Sequence, residues 1–143
     1  MKKDSALFFT CSLIEFIGRV QKRKRSEVVK MLGETVLRRI YKHADVLHSE
    51  PIVKTADEFI QMREILTGDF DNVAACKYEV PDYWTIGEVY TRLIEDVKKD
   101  DVIMTLLEIY DSWISDEISR YNSDFYYQPR DYIAQCYKSG EVL

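Results

Sequence analysis

The stretch Asp100–Tyr127, DDVIMTLLEIYDSWISDEISRYNSDFYY, constrains the fold of this chain more than any other. Its apolar positions, from Ile103 and Leu106 through Tyr110 and Ile114 to Ile118 and Tyr121, recur every three or four residues. That is the period of one helix face, and it predicts a long amphipathic helix over Asp101–Tyr121. A face this wide and aromatic must be covered by other elements. Asn122 is placed to take the left-handed C-terminal cap, and Tyr126 and Tyr127 follow in a turn.

The rest of the chain supplies helices to cover it. Asp4 or Ser5 caps a first helix over Ala6–Gln21, with apolar stripes on two sides, so this helix is central or covers the core and a partner together. Ser26 opens a short helix through Leu32 that Gly33 ends, and Glu34–His48 reads as the next, stopped by Pro51. Thr55 with Glu58, and Thr85 with Glu88, form capping boxes for two more, the first ending at Gly68 and the second running to Val97. Gly87 and Thr91 are small residues four apart, which lets that face approach a neighbour closely. Lys98-Lys99 and Asp100-Asp101 suit the facing ends of a helical hairpin. Pro129 starts a last helix that Gly140 ends. Five glycines and three prolines in 143 residues are too few for a strand-and-turn protein. The expectation is all-α: a single-domain bundle of about six or seven helices over residues 1–143.

Charge is unevenly spread. Residues 1–54 hold twelve Lys/Arg against six Asp/Glu, and residues 55–143 hold eight against nineteen. Residues 69–83 lack a convincing period and are read as a seam between the basic and acidic parts. Such a split steers association with a charged partner or with a second copy of the chain, giving a homodimer. The three cysteines, Cys11, Cys76 and Cys136, are far apart with no C-x-x-C pair, so neither a disulfide framework nor a thiolate zinc site is expected. Cys11 and Cys136 are read as buried packing residues. The apolar N-terminal run is interrupted by Glu15, is followed by QKRKR instead of a cleavage site, and is shorter than a membrane span. A cytoplasmic protein with no membrane association is the expectation.

Few residues suggest chemistry. His43 and His48 are five apart, roughly 140° around a helix, a poor arrangement for a shared metal. No P-loop, dinucleotide fingerprint, nucleophile elbow or E-x-x-H pair occurs, so no metal or cofactor is expected. The basic cluster Lys22, Arg23, Lys24 and Arg25, backed by Lys30, Arg38, Arg39 and Lys42, is a candidate for binding phosphate backbones or an acidic protein. Ten tyrosines are the most unusual compositional feature, and Tyr126 and Tyr127 are the best interface candidates among them.

Two resemblances bear on function. Arg38 and His43 make an R-x4-H spacing that resembles the motif of the HEPN family of helical ribonucleases. That resemblance implies histidine acid/base catalysis, with the arginine stabilising the anionic transition state. Phe8-Phe9, Ile14, Ser26-Glu27-Val28, Tyr41, Leu47-His48-Ser49 and Ile52-Val53 with Asp57 resemble a family of short bacterial helical proteins, domain of unknown function three-seven-nine-one. This chain has Glu50-Pro51 where members tend to carry a glycine-bearing turn. The resemblance implies an antitoxin-like or adaptor role in a bacterial operon, with no active residue carried over. The leading expectation is a non-catalytic helical protein-interaction module. The alternatives are a HEPN-like RNase using Arg38 and His43, and nucleic-acid binding through Lys22–Arg25.

Overall fold

A computed structural model describes residues 4–143, and those residues form nine α-helices, one 3-10 turn and no strand. In order they are α1 (Ser5–Gln21), α2 (Arg25–Lys42), α3 (Ala44–Leu47), α4 (Ile52–Met62), α5 (Asn72–Ala75), α6 (Tyr83–Val97), α7 (Val102–Tyr110), α8 (Trp113–Ser119) and α9 (Arg130–Ser139). The 3-10 turn, Phe125–Tyr127, precedes α9. The all-α class is as the periodicity predicts, and the count exceeds six or seven because the helix expected over Asp101–Tyr121 is divided and a short helix, α5, lies in the 69–83 stretch.

The centre is α1, which packs on α2, α3, α4 and α6. Asp4 caps it by accepting the Leu7 N–H at 3.0 Å. Both apolar stripes enter the core, where Leu7, Phe9, Leu13, Ile14 and Ile17 are essentially inaccessible, while Phe8 and Phe16 are half-buried and Val20 is exposed. The tightest approach is to α6 at Gly87, where an added Cβ would lie 2.1 Å from Ser12 Oγ and 2.9 Å from the Ser12 backbone. The small face of Gly87 and Thr91 therefore meets α1 as expected, and glycine is required there by space.

The stretch expected as one helix over Asp101–Tyr121 is two. Ser112 adopts an extended backbone, and its hydroxyl donates to Ile109 O and accepts the Ile114 N–H. This stops α7 and caps α8, because a serine that bonds the local backbone competes with helix continuation. The break keeps Tyr110 and Ile114 in the core while letting Tyr121 leave the helix and turn inward. Asn122 is not a left-handed cap, since α8 ends at Arg120 and the non-glycine residues with positive φ are Lys22 and Glu64.

Other boundaries shift for similar reasons. Neither capping box forms: α4 starts at Ile52 behind Pro51, leaving Thr55 buried inside it, and α6 starts at Tyr83 behind Asp82, which accepts the Trp84 N–H. The chain leaves α4 at Arg63 and Glu64, ahead of Gly68. Gly68 instead donates its N–H to Gln21 O at 2.8 Å, in the tight corner that follows α1. The helix expected from Ser26 begins at Arg25, and Gly33, at φ 83° and ψ 160°, kinks α2 where one helix was expected to end. The expected Glu34–His48 helix stops at Lys42, and α3 is a separate turn. Pro129 sits just before α9, and Gly140 ends that helix at φ 79°.

Cys11 and Cys136 are buried and all three cysteines are free. Among the described residues, no helix is long and apolar enough to cross a membrane.

Candidate functional site

The basic cluster expected at Lys22–Arg25 loses Arg25 to the interior. Arg25 is 1% exposed and turns into the core, where it meets Glu15 of α1, also 1% exposed. Its Nε donates to Glu15 Oε1 and its Nη2 to Oε2, both at 3.0 Å, a bidentate pair. The guanidinium is completed by the Arg23 carbonyl at 2.7 Å and Asn72 Oδ1 at 3.0 Å. Arg19 donates to the same carboxylate at 2.9 Å, and the Tyr121 hydroxyl donates to it as well. Arg25 is thus removed from the interaction surface, because a cation at this position is needed to neutralise a buried acid. Its stem lies over Gly18, where a Cβ would sit 2.4 Å from Arg25 Cδ. That contact explains a glycine inside α1.

The electrostatics follow from this geometry. Burial alone would raise the Glu15 carboxyl, but the charge and hydrogen bonds of Arg25, with those of Arg19 and Tyr121, hold it below its ordinary value of 4.5. The Tyr121 phenol is pushed up to about 12 by burial and by the Glu15 charge.

Of the remaining cluster, Lys22 lies 3.9 Å from Asp71, and Arg23 donates to the Leu66 carbonyl at 2.8 Å. Lys24 is exposed. Across the molecule, Lys30 pairs with Asp111 at 3.0 Å and Arg38 with Asp101 at 2.7 Å. Part of the charge difference between the two ends of the sequence is thereby neutralised inside the chain.

Arg38 is engaged by carboxylates. It is held between Glu34 and Asp101 and donates to both carboxylates, and these hydrogen bonds, to Asp101 first and Glu34 second, raise its pKa. The shallow hollow beside it is lined by Arg38, Tyr41 and residues 100–103, without His43. His43 is exposed at the end of α2, and a five-residue offset turns it roughly 140° away from Arg38. His48 stacks on Trp84 at 5.5 Å and lies against Phe9 at 5.3 Å. Among the described residues, no group of three or more His, Cys, Asp or Glu is placed to hold a metal ion.

The principal concavity lies elsewhere, between the 78–82 segment, α6 and the 121–130 segment. It is an open groove of about 1200 Å³ whose tyrosines are Tyr78, Tyr121, Tyr126 and Tyr127. Tyr126 stands edge-on to Tyr121 at 6.1 Å and contacts Tyr127 at 5.4 Å. Tyr127 is 79% exposed and Tyr78 71%. Tyr126 and Tyr127 therefore do occupy a surface concavity, joined there by Tyr78, which residue spacing did not single out.

Both walls of the groove are fixed from beneath by the buried ionic cluster. Arg19 Nη2 donates to the Pro81 carbonyl at 2.6 Å, anchoring the 78–82 wall. The same nitrogen donates to the Tyr121 hydroxyl at 3.1 Å, anchoring the other wall. Asn122 adds a clamp, accepting the Lys77 N–H at 2.7 Å and donating to the Ala75 carbonyl at 3.0 Å. Asn72 donates to the Ser119 carbonyl at 2.9 Å. Residues 69–83, expected as a seam, are thus docked against the acidic part by side-chain amides.

Sequence spacing did not find Glu15 and Arg25 as a pair. One signal was available: a lone carboxylate on a helix apolar on both sides needs a cation within reach. No family model, curated protein or solved structure matches this chain.

Proposed function

We propose that this protein is a non-catalytic helical interaction module that receives an extended segment of a partner protein in its tyrosine-lined groove. The observation that carries the reading is the presence of exposed Tyr78 and Tyr127 on two walls joined through the hydrogen bonds of Arg19. Tyrosine offers a large apolar body and a polar tip at low conformational cost, which suits it to interfaces. Walls that are already fixed lose little entropy when a partner docks.

The test begins with a photo-crosslinking side chain at Tyr127, and a control at Val53, which is 56% exposed on α4. A protein crosslinked only from the groove position is identified, purified and titrated against the native chain. The double variant Tyr78→Ala/Tyr127→Ala should then lose about 2 kcal/mol or more of binding, as central interface aromatics do. A purified partner that binds the double variant as tightly as the native chain defeats the reading. Capture of a second copy of this chain, confirmed by sedimentation, would replace the foreign segment with a homodimer.

A further inference from the structure

Resting on that reading of the groove, we infer that the segment it receives presents arginine side chains. The groove's own cations are already satisfied. Arg92 pairs with Glu88 at 2.9 Å, and Arg130 makes a bidentate pair with Asp96 at 2.7 and 3.0 Å. Two of its carboxylates are not: Glu79 on one wall and Asp124 on the other are exposed, and no cation among the described residues reaches either. The backbone carbonyl of Asp124 accepts from Tyr127 and Gln128. The tyrosine faces and the two uncompensated charges therefore share one concavity. Burial first, and then the charges of Tyr127, Cys76 and Glu79, raise the pKa of the Tyr126 phenol.

A cation flanked by aromatic faces and carboxylates is stabilised in two ways. It is attracted to the ring quadrupole and paired with the anion. Arginine fits better than lysine, because its flat guanidinium stacks on a tyrosine face while its N–H fork meets a carboxylate edge-on. An acidic or phosphorylated segment would instead face Glu79 and Asp124 and be repelled. An extended backbone allows alternate side chains to enter a groove.

Amide NMR titration of the full chain with four peptides tests this: Ac-Ser-Arg-Ala-Arg-Ser-NH2 and its versions with both arginines replaced by lysine, glutamine or glutamate. The arginine peptide is expected to shift the amides of Tyr78, Tyr126 and Tyr127. The glutamine peptide should bind about tenfold more weakly and the glutamate peptide not at all. Glu79→Gln and Asp124→Asn, both exposed and harmless to the fold, should each weaken the arginine peptide about threefold. Those losses should fade as salt rises. Equal binding of the glutamine and arginine peptides at these amides overturns the inference while leaving the groove as the docking site. Shifts confined to other surfaces, or no shift with the arginine peptide, overturn it too. Failure of the docking reading itself is seen separately, in a partner indifferent to Tyr78→Ala/Tyr127→Ala.

Discussion

Replacing Arg25 by methionine leaves Glu15 as a carboxylate that is 1% exposed and stripped of its bidentate partner. Arg19 and Tyr121 still reach it, so the loss belongs at the lower end of the range for breaking a buried pair, about 3 kcal/mol. The converse change, Glu15→Leu, strands the Arg25 guanidinium with only the Asn72, Arg23 and Tyr121 oxygens, and costs about 4 kcal/mol. The double variant, with two apolar side chains of similar length, should return to within about 1 kcal/mol of the native chain, because no uncompensated charge is left between them. Urea unfolding followed by circular dichroism reads all four proteins. With a slope of about 2 kcal/mol per molar, each single variant shifts the midpoint by roughly 1.5–2 M. If the single losses simply add in the double variant, the cost is not one of stranded charge and the reasoning fails.

The same pair fixes the response to acid. The Glu15 carboxyl is lowered in the folded state from 4.5, so its contribution is complete above that pH and is lost as pH falls through the depressed folded value. The stability gap between the native chain and Arg25→Met should therefore narrow below about pH 4.5. A gap that stays flat in acid would show that Glu15 is already protonated in both folded proteins.

Gly87→Ala should cost about 2 kcal/mol or more in the same assay, since its Cβ would force α1 and α6 apart at the Ser12 backbone; an unchanged midpoint would mean the crossing relaxes freely. Tyr110→Phe should leave stability unchanged or raise it by up to about 1 kcal/mol. Its buried hydroxyl has only the Cys11 thiol, a weak hydrogen-bonding group, beside it, so a loss near 2 kcal/mol would contradict that geometry. Asn122→Ala should speed hydrogen exchange at the Lys77 amide, which the Asn122 carbonyl holds at 2.7 Å, with little effect on amides of α1. Unaltered exchange at Lys77 would show that other contacts hold the 72–78 segment.

What could be read from residues alone was local. The Asp4 cap, the small face of Gly87 and Thr91 and the stop at Gly140 each depend on backbone chemistry within a few positions. Gly33 likewise marked a helix end and became a kink, since its positive φ breaks the helical path while the chain resumes it at once. The capping boxes at Thr55 and Thr85 did not form because Pro51 and Asp82 upstream open those helices earlier. Tyr126 and Tyr127 were legible as an outward aromatic turn, but Tyr78 was not, because its wall comes from a segment without period.

Composition and periodicity by themselves determined that this chain is helical and that α1 is apolar on two sides, since both follow from spacing along the chain. They also determined which residues carry charge, but not where each charge resides. Only the tertiary structure decided that Arg25 leaves a run of four basic residues to neutralise Glu15, while Lys24 stays in water. A charge is placed by the free energy of its surroundings, and those surroundings are assembled from α1, α2, Asn72 and Tyr121, which are distant in sequence. The same assembly divides the helix expected over Asp101–Tyr121 into two, so that Tyr121 can reach the core and support the groove.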